Sequence, residues 1–187
     1  IRKCISCNIG CAGNRIQNNR PIRCTVNPAV IEGEEYKKLK VNKPCNVVVI
    51  GGGTAGMEAA CTAAEVGCTA FLIEKADHLG GLAYEISKFP DKRRLRDFPD
   101  YLERRIKKLH NLHVFLNTEA TPKFIRTLNP DIIVNSTGSL PLILPIPGLK
   151  ENVGKGKVKT VLGVIDNLPN YPEDCTGKKV VVIGAGA

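Results

Sequence analysis

The sequence has no apolar run that reaches the roughly 18 residues typical of a membrane-spanning helix, which predicts no membrane partner. The N-terminus passes from Ile1 through two basic residues directly to Cys4, without the apolar segment of a secretory signal peptide. No methionine opens the chain, so we expect these 187 residues to be a fragment of a longer protein. With 43% hydrophobic residues, the chain can still bury a substantial core.

Aromatic residues are scarce, at 5% of the sequence, although the formal net charge is +9 at pH 7. The basic residues concentrate at 88–96, 104–108 and 150–159, without aromatic interleaving or a nucleic-acid-binding motif. We therefore expect no nucleic-acid partner. The charge is interpreted as a solvated surface or a face that docks to an absent domain, with steering of anionic cofactors or substrates as the alternative.

An apolar stretch that breaks into a glycine turn organises the rest of the chain. Residues 47–50 are all β-branched, as expected for a strand covered on both faces. Gly51, Gly53 and Gly56 follow as G-x-G-x-x-G and lead into a helix predicted at 55–66. In such a turn the first glycine permits the bend, the second admits a pyrophosphate, and the third lets helix and strand pack closely.

The alternation of strands and helices continues after this turn. A strand at 69–73 ends at Glu74, an acid about 20 residues further on that is placed to hydrogen-bond ribose hydroxyls. Later elements are predicted as a helix at 97–109, a strand at 113–116, a short helix at 124–128 and a strand at 131–135. The pattern predicts an α/β, Rossmann-like nucleotide-binding fold, with a packing turn that binds no nucleotide as the alternative.

Four cysteines crowd the N-terminal segment, which is otherwise irregular and poor in apolar residues: Cys4, Cys7, Cys11 and Cys24. Their short spacings let successive thiolates of one loop reach one small inorganic core, while Gly10 and Gly13 supply flexibility. The spacing favours an iron–sulfur cluster, with zinc or redox-active or structural thiols as alternatives. Thiols beside a nucleotide fold indicate a reducing, cytoplasmic location.

The C-terminal part is rich in proline and glycine and contains a second glycine-turned strand. Residues 178–187 nearly repeat 46–53 and include Gly184 and Gly186. We expect the chain to stop within the start of a second nucleotide-binding unit. The predicted organisation is a cluster segment and linker at 1–45, a Rossmann-like domain at 46–150, a crossover linker at 151–178 and a truncated unit at 179–187.

Several motifs occur together in a characteristic order. They are CISCNIGC at 4–11, PIRCTVNP at 21–28, VVVIGGGTAGMEAA at 47–60, Glu-Lys at 74–75, Leu-Gly-Gly at 79–81, Ser-Thr-Gly at 136–138 and Ile-Gly-Ala-Gly at 183–186. This combination resembles the iron–sulfur flavoprotein family of 2,4-dienoyl-CoA reductase, trimethylamine dehydrogenase and enoate reductase. These are NADH:flavin oxidoreductases with an old yellow enzyme-like barrel, and the resemblance is to their C-terminal portion.

The resemblance implies an NAD(P)H-dependent oxidoreductase of the 2,4-dienoyl-CoA reductase type. Electrons would pass from NAD(P)H through FAD and a [4Fe–4S] cluster to FMN, which a partner TIM barrel N-terminal to this chain holds together with a small-molecule enoate or enoyl-CoA substrate. In the trimethylamine dehydrogenase branch ADP replaces FAD. Because the barrel is absent, we do not expect these 187 residues alone to turn over substrate, and no catalytic residue is predicted.

The resemblance also assigns binding roles by matching position. The cluster ligands would be Cys4, Cys7, Cys11 and Cys24. The FAD (or ADP) site would comprise Gly51, Gly53, Thr54, Ala55, Gly56, Glu74, Lys75, Gly81, Leu82, Ala120, Thr137 and Gly138. Gly184 and Gly186 would begin the NAD(P)H turn. The sequence leaves open a zinc-stabilised, non-catalytic nucleotide-binding module, the choice between NADH and NADPH, and the oligomeric state.

Overall fold

The computed structural model describes residues 1–32, 39–172 and 174–184. The chain divides into two compact units, Ile1–Ser139 and Leu140–Ala187. In the described ranges, no helix combines the length and the apolar character that crossing a bilayer requires. The domain boundaries proposed from the sequence remain predictions.

A four-stranded parallel sheet forms the centre of the first unit. Its strands are β1 (Asn46–Ile50), β2 (Thr69–Ile73), β3 (Leu112–Phe115) and β4 (Ile132–Asn135). They lie in the order β3-β2-β1-β4, and every neighbouring pair is parallel. This order is that of a Rossmann-like fold, in which ligands bind at the carboxyl ends of the strands where the order reverses. Here that reversal lies between β1 and β4.

In the described ranges, one α-helix precedes these strands and six others connect or follow them. They are α1 (Ala29–Glu32), α2 (Thr54–Val66), α3 (Gly81–Ile86), α4 (Asp97–Ile106), α5 (Pro122–Thr127), α6 (Leu149–Asn152) and α7 (Val161–Ile165). The predicted end of α2 is correct, because Gly67 closes it in the left-handed conformation with φ of 109°. Thr121 caps α5 through a hydrogen bond from the Phe124 N–H, with Pro122 in the first turn.

Apolar layers cover both faces of the sheet, as the β-branched composition of β1 predicts. On one face Val47 and Val49 pack with Met57 of α2 and Leu102 of α4. On the other face Val48, Ile73 and Ile125 form a smaller core, which includes residues of β1, β2 and α5. The alternation of successive side chains along a strand produces this division. The sheet is therefore held rigidly enough to position loops at its edge.

An ion-pair network joins α2 to α4. Arg105 is 12% exposed, and it donates from Nη1 to Glu58 Oε2 at 2.6 Å and from Nε to Glu65 Oε1 at 2.9 Å. Burial lowers the pKa of the Arg105 guanidinium, but its hydrogen bonds to Glu65 and Glu58 outweigh this and raise the pKa above the usual value. The guanidinium therefore stays charged and links the two helices.

Replacing Arg105 with methionine is expected to lower the free energy of unfolding by about 2–3 kcal/mol, because both glutamates lose their partner while they are largely buried. We place the effect below the range for fully buried pairs, since the carboxylate side chains are 27–28% exposed. Denaturant titration measures the change. Arg104→Met, at the exposed neighbouring position, is the matched control. Equal stability of the two variants would contradict a stabilising network.

The N-terminal segment departs from the expected irregular chain. Residues Ile9–Gln17 form a π-helical segment, so part of the cysteine-containing region has regular structure. Polar contacts hold the segment against the nucleotide fold. Arg2 donates to Tyr101 Oη at 3.1 Å, Lys3 pairs with Asp97 at 3.3 Å, and Arg94 donates to Ser6 Oγ at 2.7 Å. The start of the cysteine loop is therefore anchored near α4.

The second unit contains α6, α7 and a short 3₁₀ turn at Leu168–Asn170. Thr160 caps α7 through a hydrogen bond from the Gly163 N–H. The strand predicted at 178–183 differs, because these residues pair with no other strand in the described part of the chain. Their apolar side chains are mostly exposed, from 55% at Ile183 to 85% at Val181. A β-branched sequence forms a strand only where a partner supplies the hydrogen bonds.

Candidate functional site

The predicted glycine turn connects the carboxyl end of β1 to α2. Gly51 has φ of 102°, and its N–H donates to the Ile73 carbonyl at 2.8 Å. A Cβ at this position would lie 2.5 Å from the Ser136 carbonyl oxygen. Both the left-handed backbone and the close neighbour require glycine. This residue directs the chain out of the sheet beside the switch point.

The second and third glycines have opposite surroundings. A Cβ at Gly56 would overlap the Gly51 carbonyl oxygen and lie 2.5 Å from Ser136 Oγ, so α2 packs against the turn with no room for a side chain. A Cβ at Gly53 would meet no atom within 4 Å. Gly53 is the N-cap residue of α2, and no side chain accepts a hydrogen bond from the N–H groups of the first turn at this cap. The open space therefore lies at the positive N-terminus of a 13-residue helix, which is suited to an anion.

Thr54 and Ala55 are the first two residues of α2 after this cap. Thr54 is half-buried, whereas Ala55 is exposed. Their backbone N–H groups belong to the first turn of α2, whose N–H groups have no partner within the helix. The structure thus brings together the five turn residues that the sequence predicted as one site.

Glu74 lies immediately after β2 and contacts the glycine turn. Its Oε2 accepts a hydrogen bond from the Gly52 N–H at 2.5 Å, and its Oε1 accepts one from the Ala76 N–H at 2.8 Å. A carboxylate has capacity for about four hydrogen bonds, so acceptor positions remain for ribose hydroxyls. The acid holds the turn in shape, and its role toward a ribose remains a prediction. Lys75, next to it, is exposed.

A second glycine pair packs against the first turn. The Gly80 N–H donates to the Gly52 carbonyl at 2.9 Å, and a Cβ at Gly81 would lie 2.9 Å from the Gly53 Cα. The backbone at these two glycines therefore approaches the first turn closely. Leu82, in the first turn of α3, is 53% exposed.

The loop after β4 contributes a residue to which the sequence gave no individual role. Ser136 donates from Oγ to the Ile50 carbonyl at 2.8 Å and to the Gly51 carbonyl at 3.1 Å. The next residue, Thr137, is exposed, and its hydroxyl donates to Asn135 Oδ1 at 2.9 Å. Gly138 has φ of 82°. Ser136 thus links the loop after β4 to the end of β1 across the switch point. In the sequence, this contact is indicated only by a strand followed by Ser-Thr-Gly.

The remaining predicted cofactor residues lie apart from the turn or outside this unit. Ala120 is half-buried and packs against the smaller core beside Ile125. Gly184 belongs to the second unit and has φ of 89°. Gly186 lies outside the described residues. Their roles in binding remain predictions.

Two of the three histidines contact neighbouring side chains. The ring nitrogens of His78 lie 2.6 Å from Asp77 Oδ1 and 3.0 Å from Glu85 Oε1. The ring of His113 stacks on Phe71 with 5.4 Å between the ring centroids. His110 is exposed. The contacts of His78 and His113 are structural ones within the first unit.

The four N-terminal cysteines line one common cavity. Two non-glycine residues in their loop, Ser6 and Asn8, have positive φ angles of 57° and 55°, and these turns wrap the chain around the cavity. Gly10 brings the loop against the chain segment that carries Cys24. The Arg23 N–H donates to the Gly10 carbonyl at 2.7 Å, and a Cβ at Gly10 would lie 2.7 Å from the Arg23 carbonyl oxygen.

Hydrogen bonds reach the sulfur atoms of this cavity. The Ser6 N–H donates to Cys4 Sγ at 3.3 Å, and Cys7 Sγ and Thr25 Oγ1 are hydrogen-bonded at 3.3 Å. Burial raises the pKa of the Cys7 thiol, but the hydrogen bonds with Thr25 and with backbone groups outweigh it, so the pKa is lowered overall. The surroundings of Cys7 therefore favour its thiolate, the form that binds metals.

The spacing of the donors bears on which inorganic group fits. In the described ranges, no three His, Cys, Asp or Glu side chains converge closely enough to hold a single metal ion. A tetrahedral zinc site brings all its thiolates to about 2.3 Å from one centre. A multi-iron cluster accepts thiolates that are further apart, because each cysteine binds a different iron atom. The four cysteines thus share one cavity without forming a single-ion site in the described ranges.

Comparison with known proteins identifies the family. The family model described as pyridine nucleotide-disulphide oxidoreductase matches residues 29–97 and 46–187. The chain belongs to this family. It carries the FAD- and NAD(P)H-binding fold of these oxidoreductases, and the α/β fold class predicted from the sequence is confirmed.

Relatives within the family agree with the resemblance seen in the motifs. The chain is 42% identical over its full length to an NADH oxidase of Thermoanaerobacter brockii and 35% identical to a cinnamate reductase of Clostridium sporogenes. It spans about a quarter of these curated relatives, 28% and 26% of their lengths. The predicted resemblance to the C-terminal part of the enoate reductase and dienoyl-CoA reductase group is confirmed.

Solved structures give the same result. A 2-naphthoyl-CoA reductase in complex with 2-naphthoyl-CoA superposes with a TM-score of 0.73 at 33% identity, covering 80% of this chain and 23% of that one. A histamine dehydrogenase from Rhizobium sp. 4-9 superposes with a TM-score of 0.69 at 25% identity, covering 78% and 22%. The pyridine nucleotide-disulphide oxidoreductase fold described above is thus also the fold of a portion of larger enzymes.

Proposed function

We propose that this chain is the electron-transfer portion of an NAD(P)H-dependent iron–sulfur flavoprotein oxidoreductase. The observation that carries the proposal is the arrangement of four cysteines around one cavity in a chain that also carries an FAD- and NAD(P)H-binding fold. Cys4, Cys7, Cys11 and Cys24 would hold a [4Fe–4S] cluster. When bound, the flavin and the cluster would convert the two electrons of a nicotinamide into single-electron transfers.

The chain's own residues would bind and orient these groups. The N–H groups at the start of α2 would bind the pyrophosphate of FAD, or of ADP, above the open space at Gly53. Glu74 would accept hydrogen bonds from the ribose while it fixes the Gly52 N–H. The Ser6 N–H, which donates to Cys4 Sγ, would stabilise charge on a cluster ligand.

The complete protein would use these electrons at a separate site. We propose that an FMN-binding TIM barrel receives them and reduces an unsaturated carboxylic acid or its CoA thioester. Relatives named cinnamate reductase and 2-naphthoyl-CoA reductase support this substrate class. Their greater length, of which this chain spans 23–28%, leaves ample room for such a domain.

Metal and cofactor analysis of the anaerobically purified protein tests the proposal. We expect visible absorbance, about four irons and four acid-labile sulfides per chain at these cysteines, and FAD released on denaturation. Cys24→Ser should lose iron and sulfide, whereas Cys175→Ser, at an exposed cysteine outside the cavity, should retain both. Stoichiometric zinc without sulfide would contradict the electron-transfer function. Release of ADP without flavin would assign the ADP-binding variant.

Gly10→Ala should weaken cluster binding without removing any ligand. The added methyl group would push the Cys11 loop away from the Arg23 carbonyl, and overpacking of this kind costs about 1–3 kcal/mol, or roughly a 5- to 150-fold loss of affinity. Iron per chain and the rate of cluster loss to a chelator measure it. Gly163→Ala in α7 is the control, because it adds the same methyl group in the second unit, outside the cysteine cavity, with its Cβ 3.3 Å from the Thr160 hydroxyl. Equal iron retention in both variants would show that the Gly10 contact is unimportant.

A further inference from the structure

Two cysteines outside the N-terminal cysteine cavity lie side by side at the amino ends of the two inner strands, opposite the glycine turn. Cys45 immediately precedes β1, and Cys68 immediately precedes β2. Their sulfur atoms are 3.3 Å apart. The parallel register pairs Asn46 with Thr69, and the Thr69 N–H donates to the Cys45 carbonyl at 3.0 Å. The two cysteines are therefore held opposite one another by the backbone of adjacent strands.

This geometry suits a covalent bond between the two sulfur atoms. Neighbouring strands lie about 4.8 Å apart, within the range of Cα separations that disulfides span. A bond length of about 2.05 Å requires the sulfur atoms to approach by little more than 1 Å, which side-chain rotation can supply. Cys45 is half-buried, so a small reagent can reach it, whereas Cys68 is only 4% exposed.

We propose that Cys45 and Cys68 form a reversible disulfide when a small organic disulfide acts as oxidant. The Cys45 thiolate attacks one sulfur of the reagent and releases its first thiol. The Cys68 thiolate then attacks the Cys45 sulfur and releases the second thiol, so the two cysteines are oxidised as the reagent is reduced to two thiols. Both protons lost by the cysteines are recovered by the departing thiols.

The disulfide would fix the point at which the N-terminal segment enters the sheet. Lys40 donates from Nζ to the Glu65 carbonyl at 2.6 Å, and the Val41 N–H donates to the Val66 carbonyl at 2.9 Å, so the linker already lies beside the end of α2. The five residues of β1 separate Cys45 from the glycine turn, about 17 Å along the strand. Cross-linking here would tie the linker to β2 and leave the nucleotide turn open.

The thiol pair is stable in the absence of oxidant. The hydrogen bond with Cys68 raises the pKa of Cys45, and burial and the nearby charges of Cys68 and Asp131 raise it further. The Cys45 thiol consequently remains protonated near neutral pH and stays hydrogen-bonded to Cys68.

The test treats the anaerobically purified, cofactor-loaded protein with 2-hydroxyethyl disulfide, followed by denaturation, alkylation and peptide mass mapping. The expected product is a Cys45–Cys68 cross-linked peptide, with both alkylation sites lost and both restored by dithiothreitol. Cys175, which is exposed, should instead carry the mixed disulfide and reports that the reagent acted. In Cys45→Ser, Cys68 should remain fully alkylated.

Three outcomes would overturn the proposal. The first is a mixed disulfide on Cys45 beside an alkylated Cys68. The second is alkylation of both cysteines in a sample where Cys175 has reacted. The third is failure of dithiothreitol to restore the two thiols. None of these results depends on which cofactor the glycine turn binds, so they leave the proposed function untouched.

Discussion

Gly56→Ala is expected to destabilise the nucleotide-binding unit by about 3 kcal/mol or more, since the added methyl group overlaps main-chain atoms that cannot rotate away. Its Cβ would lie 1.9 Å from the Gly51 carbonyl oxygen and 2.5 Å from Ser136 Oγ. Relief requires α2 to move away from the turn. Denaturant titration and cofactor content after purification measure the loss.

Gly53→Ala separates this packing effect from the general effect of alanine in a glycine turn. Gly53 has φ of −69° and ψ of 176°, a conformation that alanine adopts without strain, and no atom lies within 4 Å of the added Cβ. The cofactor-free stability of Gly53→Ala should therefore match that of the parent. A Gly56→Ala protein with parental stability and cofactor content would refute the close packing of α2 on the turn.

Local patterns were sufficient to predict the central part of the fold. β1, α2 and β2 follow from β-branched runs, glycine spacing and a terminating Gly67, and their predicted bounds differ from the structure by at most one residue. The predicted end of β2 at residue 73 also placed Glu74 directly after the strand, where the structure has it. These features depend on residues close together in the chain, where steric rules for glycine and β-branched side chains act directly.

The contacts that complete the site are long-range, and no short pattern encodes them. Ser136 reaches the Gly51 carbonyl across 85 positions. Ser6 is held by Arg94 across 88 positions. Such contacts depend on the order of strands in the sheet and on how the N-terminal segment meets α4. A sequence can indicate polar residues at strand ends, but their partners become clear only when the topology is known.

The predicted strand at 178–183 shows that a local pattern can also predict an element that the structure lacks in the described residues. Its β-branched residues have the composition of β1, yet in the part of the chain that the structure describes they pair with no other strand. β1 is paired on both sides, by β2 and by β4, and all but its ends are buried. β-propensity reports suitability for a pleated, half-buried surface, so it cannot supply that surface by itself.

Loss of cofactor without loss of fold is the expected result of Gly53→Ala. The space above Gly53 is open, and it lies at the N-terminus of α2 where a pyrophosphate would approach the backbone. A methyl group there would lie between the phosphate oxygens and the N–H groups of the first turn. At about 1–3 kcal/mol for such an obstruction, the affinity for FAD or ADP should fall roughly 10- to 100-fold.

Equilibrium binding to the cofactor-free protein measures this effect, with FAD and ADP titrated separately. Gly163→Ala is the matched control, because it adds the same methyl group to the second unit. If FAD and ADP lose affinity equally, the obstruction acts on the pyrophosphate that the two share, as the position of Gly53 requires. Parental affinity in Gly53→Ala would place the phosphates elsewhere and would remove the N-terminus of α2 from the binding site.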